Sequence, residues 1–143
     1  ERDMILVTGG AYQGKRAFAR QLKEGIKNPS MEQSEEACRS EVWRVADEHT
    51  AFCDIQTADI WDHYHLWVAR QLRAGEDPWR LTEQILKNNP DIIICSTELG
   101  CGIVPIESSD RTWRETTGRL CCRIAQRAEA VYQVNCGIGM RLK

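Results

Sequence analysis

No charge of either sign predominates in this chain: 19 Lys and Arg face 21 Asp and Glu over 143 residues, a formal net charge of −2. So balanced a surface gives no electrostatic footing for nucleic acid or an anionic membrane. No apolar run approaches the ~20 residues of a membrane span. The apolar stretch Met4–Val7 is also far too short for the core of a signal peptide. Seven cysteines are present (38, 53, 95, 101, 121, 122 and 136), yet no two form a C-x-x-C pair, which excludes the usual zinc knuckle. Their number is odd, and Cys53 and Cys95 sit in apolar runs, where cysteine behaves as a small hydrophobe. Reduced thiols in a cytoplasmic protein are expected. Apolar residues at 42% and charged ones at 28% fit one globular domain over 1–143 with a sizeable core.

What is present is concentrated near the N-terminus. The run Met4-Ile5-Leu6-Val7-Thr8 ends at Gly9-Gly10, and Gly14-Lys15 follow as a helical pattern begins. The spacing from Gly9 to Lys15 fits the phosphate-binding loop G-x-x-x-x-G-K. Glycines are needed because the backbone must bend tightly and bring N–H groups onto phosphate oxygens with no Cβ in the way. Lys15 adds a point charge, and the helix N-terminus a partial one. Gly9, Gly10, Ala11, Tyr12, Gln13, Gly14, Lys15 and Arg16 are therefore the expected nucleotide-binding residues. The motif normally closes on Ser or Thr, whose hydroxyl meets Mg²⁺, and Arg16 stands there instead. A strand–turn–helix with no ligand is the plain alternative.

Along the rest of the chain, Lys15–Glu24 reads as a helix, with Phe18 and Leu22 on one face and Gly25 as its stop. Residues 27–36 form a polar, acidic loop, and Ala37–Val45 carries a weak helical pattern. Ala51–Ile55 reads as a short buried strand with Asp54 near its end. A helix capped by Thr57 then runs to Arg73, with Ile60, Trp61, Tyr64, Val68 and Leu72 at helical spacing. Asp77-Pro78 opens another helix. Ile92-Ile93-Ile94-Cys95 is apolar on both faces, as in a central parallel strand. A helix from Asp110 to Ala128 and a core strand over Val131–Val134 follow, with a short terminal run at Met140–Leu142. The alternation predicts an α/β fold: a phosphate-loop, three-layer domain with a mostly parallel sheet.

Three stretches carry a family resemblance: Ile5–Ala11; Thr97-Glu98-Leu99-Gly100-Cys101-Gly102-Ile103-Val104-Pro105 with Gly118-Arg119-Leu120 downstream; and Cys136-Gly137-Ile138-Gly139. Together they resemble the bifunctional adenosylcobinamide kinase / adenosylcobinamide-phosphate guanylyltransferase family of cobalamin biosynthesis. The likeness extends over 4–22 and 91–142, in part over 51–72, and breaks off between. It implies a phosphate-loop fold that uses a nucleoside triphosphate to phosphorylate a corrinoid hydroxyl. In the family, GMP is then transferred through a guanylylated histidine. That histidine belongs to an H-x-x-x-R-P-like segment after an additional strand. Here residues 26–50 are too few for both, and His49 is not followed by Arg-Pro, so guanylyl transfer by the family's route is not expected.

Phosphoryl transfer requires a held γ-phosphate, stabilised charge and a carboxylate that positions metal. Lys15 is the charge stabiliser. Asp54 falls where a Walker B carboxylate would, and the resemblance sets it against a family glutamate; a strand-end Asp capping the next turn accounts for it equally well. Glu98 lies past a strand's carboxyl end, where ligands bind in open α/β sheets. It can hold Mg²⁺ or take the proton of the substrate hydroxyl, or it can simply structure the Gly100–Gly102 turn. Arg16 carries only donors and cannot bind Mg²⁺. His63 and His65, two apart on an expected helix, face different ways and are read as core or surface residues. The expected catalytic set is thus Lys15, Asp54 and Glu98, with Mg²⁺ on Asp54 and Glu98. ATP or GTP is the donor and a corrinoid alcohol the acceptor. A non-catalytic nucleotide- or phosphate-binding module is the alternative, and the family's ring-like assemblies leave a homo-oligomer open.

Overall fold

The structure is a computed structural model that describes residues 4–10, 13–27, 44–98 and 108–143, with side chains at all of these but 25–27 and 108–110. Residues 1–3, 11–12, 28–43 and 99–107 lie outside it, and with them Ala11, Tyr12, most of the helix expected over Ala37–Val45 and the turn expected at Gly100–Gly102.

In chain order the elements are β1 (Ile5–Gly9), α1 (Lys15–Lys27), β2 (Val45–Ala46), α2 (Phe52–Ile55), β3 (Ile60–Trp61) and α3 (Tyr64–Arg73). They continue as α4 (Pro78–Asn88), β4 (Ile93–Thr97), α5 (Ser108–Arg127), β5 (Ala130–Asn135) and β6 (Ile138–Arg141). One sheet has the order β2-β3-β4-β1-β5-β6, parallel throughout except for the β5–β6 hairpin. β1 is central, pairing Gly9 with Thr97 of β4 and Thr8 with Gln133 of β5.

Both faces of this sheet are covered, and the side chains divide with the period of two that strands impose. Ile5, Val7, Ile93, Cys95, Ala130 and Val134 face Ala19, Phe18 and Leu22 of α1. Leu6, Ile92, Ile94 and Val131 face the opposite layer, where Trp61, Tyr64, Trp67, Val68, Ile85, Leu120 and Ile124 form the larger core. Within it Trp61 meets Tyr64 and Trp67 edge-on at 4.9 and 4.7 Å between ring centroids, a favoured aromatic geometry. The buried Tyr64 hydroxyl donates to Thr82 Oγ1 at 3.0 Å, and Thr82 donates to the Pro78 carbonyl at 2.7 Å, so neither hydroxyl is left unpaired.

Helix ends follow local chemistry. Asp77 caps α4, its Oδ1 accepting from Trp79 N at 3.1 Å, with Pro78 in the first turn. The helix expected to stop before Gly25 continues to Lys27.

Two expectations are corrected. Ala51–Ile55 is not a strand: Phe52–Ile55 is one helical turn in which only Ile55 is buried, while Cys53 and Asp54 are exposed. The helix expected from Thr57 is in fact β3 followed by α3. His63 breaks the two apart at φ 54°, a left-handed conformation uncommon for a residue with a side chain. Two strand residues within an apolar run at helical spacing leave no periodic signal of their own.

Phe18 packs edge-on to Tyr132 at 5.2 Å, and a Cβ on Gly139 of β6 would collide with the Phe18 ring. Gly139→Ala is expected to lower stability by about 1–3 kcal/mol, the usual cost of overpacking. Urea unfolding measures it; an unchanged midpoint would mean that the ring yields freely.

Candidate functional site

The carboxyl ends of β1, β3 and β4 open onto a cleft of about 440 Å³. Gln13, Gly14, Lys15 and Arg16 form one wall; Asp62, His63, His65 and Leu66 form the other, with Thr97 at the end of β4.

The first wall follows from glycine. Gly9 has φ 153°, and a Cβ there would collide with the Val134 carbonyl oxygen, so only glycine lets β1 end this close to β5. Gly14, at φ 85°, turns the chain into α1, and Phe18 N donates to its carbonyl at 3.0 Å. The β5–β6 turn braces the loop: Gly137 N donates to the Gln13 carbonyl at 2.9 Å and Cys136 N to Gln13 Oε1 at 2.6 Å. Lys15 is thereby buried at the helix N-terminus, its Nζ donating to the Gly10 carbonyl at 2.7 Å. Burial lowers its pKa below the ordinary lysine value; nearby Cys95, Asp62 and Glu98 act the other way.

The second wall was not foreseen. Asp62 follows β3 directly and is 6% exposed; its Oδ1 accepts from His63 N at 2.9 Å. The His63 ring bridges two carboxylates, with Nδ1 3.0 Å from Glu48 Oε2 and Nε2 3.6 Å from Asp62 Oδ2. Burial pushes Glu48 upward, but hydrogen bonds from its own backbone and from His63 prevail and hold it below the usual range. His65, in the first turn of α3, is buried, and its Nδ1 accepts from Thr97 N at 3.3 Å. Its pKa is lowered to about 4 by burial, with His63 and Lys15 adding to the effect and Asp62 and Glu48 opposing it.

The expected residues separate accordingly. Lys15 and Glu98 come together: Glu98 N donates to the Gly9 carbonyl at 2.9 Å, and Gln133 Nε2 donates to Glu98 Oε1 at 3.2 Å. Arg16 is exposed at the cleft's edge. Asp54 does not line the cleft, because α2 lies between two strands and turns its carboxylate to solvent. The carboxylate that lines the cleft with Lys15 is Asp62. The signal that singled out Asp54, a carboxylate ending an apolar run, was present a few residues on in Ile60-Trp61-Asp62, hidden by the helical spacing of its neighbours. His65 carried no signal in sequence.

Among the described residues no group of three or more His, Cys, Asp or Glu side chains is arranged to hold a metal ion. Asp62 and Glu98 are the carboxylates whose charges act on Lys15. Mg²⁺ commonly takes one or two carboxylates and leaves its other positions to phosphates and water, so this donor set fits it. The described cysteines are free. No described helix is long and apolar enough to cross a membrane.

His65 makes folding pH-dependent. Its folded pKa lies below the unfolded value near 6.5, so its contribution is complete above that pH and is lost as pH falls toward 4. From pH 7 to pH 5 it should cost about 2 kcal/mol of stability. Urea unfolding of wild type and His65→Gln at both pH values checks this: the wild type should lose that much more than the variant.

A search for similar curated proteins finds no match. Among protein families, cobinamide kinase / cobinamide phosphate guanyltransferase matches over residues 32–142. That span holds Asp62, His65 and Glu98, takes in part of the segment expected to fall outside the likeness, and begins after Lys15. The family's work is of the cobinamide kinase and guanyltransferase type, in cobalamin biosynthesis, on nucleoside triphosphates and cobinamide substrates. With more than half its length matched, and a six-stranded, mostly parallel sheet flanked by helices, this chain belongs to the cobinamide kinase / cobinamide phosphate guanyltransferase family.

Proposed function

We propose that the chain is a nucleoside-triphosphate-dependent kinase of a cobinamide-type alcohol, acting at the cleft between the phosphate loop and the start of α3. The observation that carries this is the buried Lys15 at the N-terminus of α1 facing the buried Asp62 across one cleft. In this reading the phosphates of ATP or GTP lie along Gly9–Lys15, where backbone N–H groups and the helix dipole favour anions. Lys15 neutralises charge that builds on the transferred group. The acceptor hydroxyl oxygen attacks the γ-phosphorus, the bond to the β-phosphate oxygen breaks, and the hydroxyl proton passes to Glu98. Mg²⁺ would be held by Asp62, with water and the nucleotide completing its shell, and would supply charge neutralisation to the phosphates. The metal role expected of Asp54 passes to Asp62.

Guanylyl transfer is not part of this reading, because His49 lacks the Arg-Pro of the family's histidine segment. A second reading, a nucleotide-binding module without catalysis, is favoured by Arg16, which stands in the place of the metal-binding hydroxyl.

Cobinamide phosphorylation followed by chromatography tests these together. Lys15→Ala and Asp62→Asn should each reduce the rate by about 10²-fold or more, as loss of a group aimed at transition-state charge does. Asp54→Ala should leave it unchanged. Arg16→Ser should raise the Mg²⁺ dependence. Labelled GTP should leave His49, His63 and His65 unmodified after denaturation. Full activity in Asp62→Asn would overturn the metal assignment, and nucleotide binding with no phosphorylation in any form would select the binding module.

A further inference from the structure

We propose that His65 is a fixed, neutral hydrogen-bond donor in the cleft, its Nε2–H presented to an oxygen of the phosphoryl group that Lys15 holds. The inference rests on the kinase reading and adds to it a residue on the wall opposite the phosphate loop.

The ring is held by two residues, Thr97 and Trp113. Nδ1 accepts the backbone N–H of Thr97 at 3.3 Å, which makes Nδ1 the unprotonated nitrogen. A neutral imidazole with an acceptor at Nδ1 carries its proton on Nε2. The Trp113 indole stacks on the ring, 6.4 Å between centroids and 24° between planes. The same indole donates from Nε1 to the His65 carbonyl at 2.7 Å, fixing the backbone beneath the side chain. Among the described residues no hydrogen-bond partner meets Nε2, while the residue as a whole lines the cleft with Gln13, Gly14, Lys15 and Asp62. One ring nitrogen is thus committed to the fold, and the other is left for what enters the cleft.

Charge keeps the ring neutral. Lys15 and the neighbouring His63, whose ring centroid is 6.1 Å away, both oppose a second cation, and burial opposes it further. Asp62 and Glu48 pull the other way without prevailing. A neutral donor beside a lysine adds a dipole aimed at an anion without the desolvation cost of a second buried charge.

The alternative is a histidine whose whole role is its bond to Thr97. Two substitutions separate the two. An Asn amide reaches the Nδ1 position, so His65→Asn can keep the Thr97 contact but loses the donor. A Gln amide reaches the Nε2 position, so His65→Gln restores a donor to the cleft. With the full chain, cobinamide and ATP, His65→Asn should lower kcat by about 10²–10³-fold, the usual effect of removing one positioned donor. KM for ATP should stay within a few-fold, and His65→Gln should recover at least about tenfold of the loss.

A second measurement does not depend on turnover or on the variants folding. In wild type labelled with ¹⁵N-histidine, two-bond ¹⁵N–¹H correlation at pH 7 should find His65 as the Nε2–H tautomer. Saturation with β,γ-imido ATP and Mg²⁺ should shift Nε2 and leave Nδ1 an acceptor. An Nδ1–H tautomer, or an Nε2 signal unmoved at saturation, would overturn the proposal. If wild type phosphorylates cobinamide while Nε2 stays silent, only the role of His65 falls. If Nε2 moves and no phosphorylation occurs, the donor stands and the kinase reading falls; failure of any nucleotide to bind sinks both.

Discussion

The cleft exists because Gly9 lies against the carbonyl of Val134. Any side chain at residue 9 would occupy that oxygen's space, so the close approach of β1 to β5 is available to glycine alone. From this contact the rest follows. β1 is central, and its last residue pairs with the last residue of β4, so the chain leaves both strands at one level. Glu98 N bonds back to the Gly9 carbonyl and Gln133 reaches Glu98, tying the exits of β4 and β5 to that of β1. Parallel strands put their carboxyl ends on one edge of the sheet, and groups drawn from distant parts of the sequence converge there.

Lys15 gives that edge its electrostatic character. An ammonium group drawn out of water carries a desolvation cost of several kcal/mol unless paired or hydrogen-bonded. Here the compensation is partial: one backbone carbonyl at 2.7 Å, with Asp62 and Glu98 near enough to act through charge. An anion that entered the cleft would meet a cation already stripped of solvent, whose field is stronger than in water. The chain of Glu48, His63 and Asp62 matters for the same reason. By holding the His63 ring between two carboxylates, it fixes the direction of the Asp62 side chain. The left-handed backbone at His63 is the strain that accompanies a strand leading so abruptly into α3.

How much of this could be read from sequence depends on how many residues carry each signal. The turn from β1 into α1 was legible because Gly9 and Gly14 stand where the backbone has room or conformation for glycine alone. β4 was legible because four consecutive apolar residues, Ile92 to Cys95, demand burial on both faces. The Asp77-Pro78 cap was legible for a local reason, since a capping carboxylate bonds N–H groups two and three residues on. β3 was not. Two residues cannot show a period, and Ile60, Trp61, Tyr64 and Val68 satisfy a helical spacing although the first two are strand. Missing β3 left Asp62, which lines the cleft, unmarked in the sequence. His65 lay beyond reach for another reason: its partners, Thr97 and Trp113, are distant in sequence, and only the sheet order brings them to it.

The family match and the phosphate loop support the same cleft from separate parts of the chain. The match spans residues 32–142 and excludes Gly9–Lys15. Ile5–Ala11 shares in the resemblance read from sequence, but the matched span does not include it, and the turn into α1 stands on glycine spacing, on the burial of Lys15 and on its position before α1. The wall facing Lys15, from Asp62 to Leu66, and Thr97 beside it both fall inside the matched span. Gly14 and Lys15 thus meet the matched span across one cavity. The proposed phosphate site rests on that meeting: a buried ammonium on one wall, with a buried carboxylate and a buried imidazole on the other.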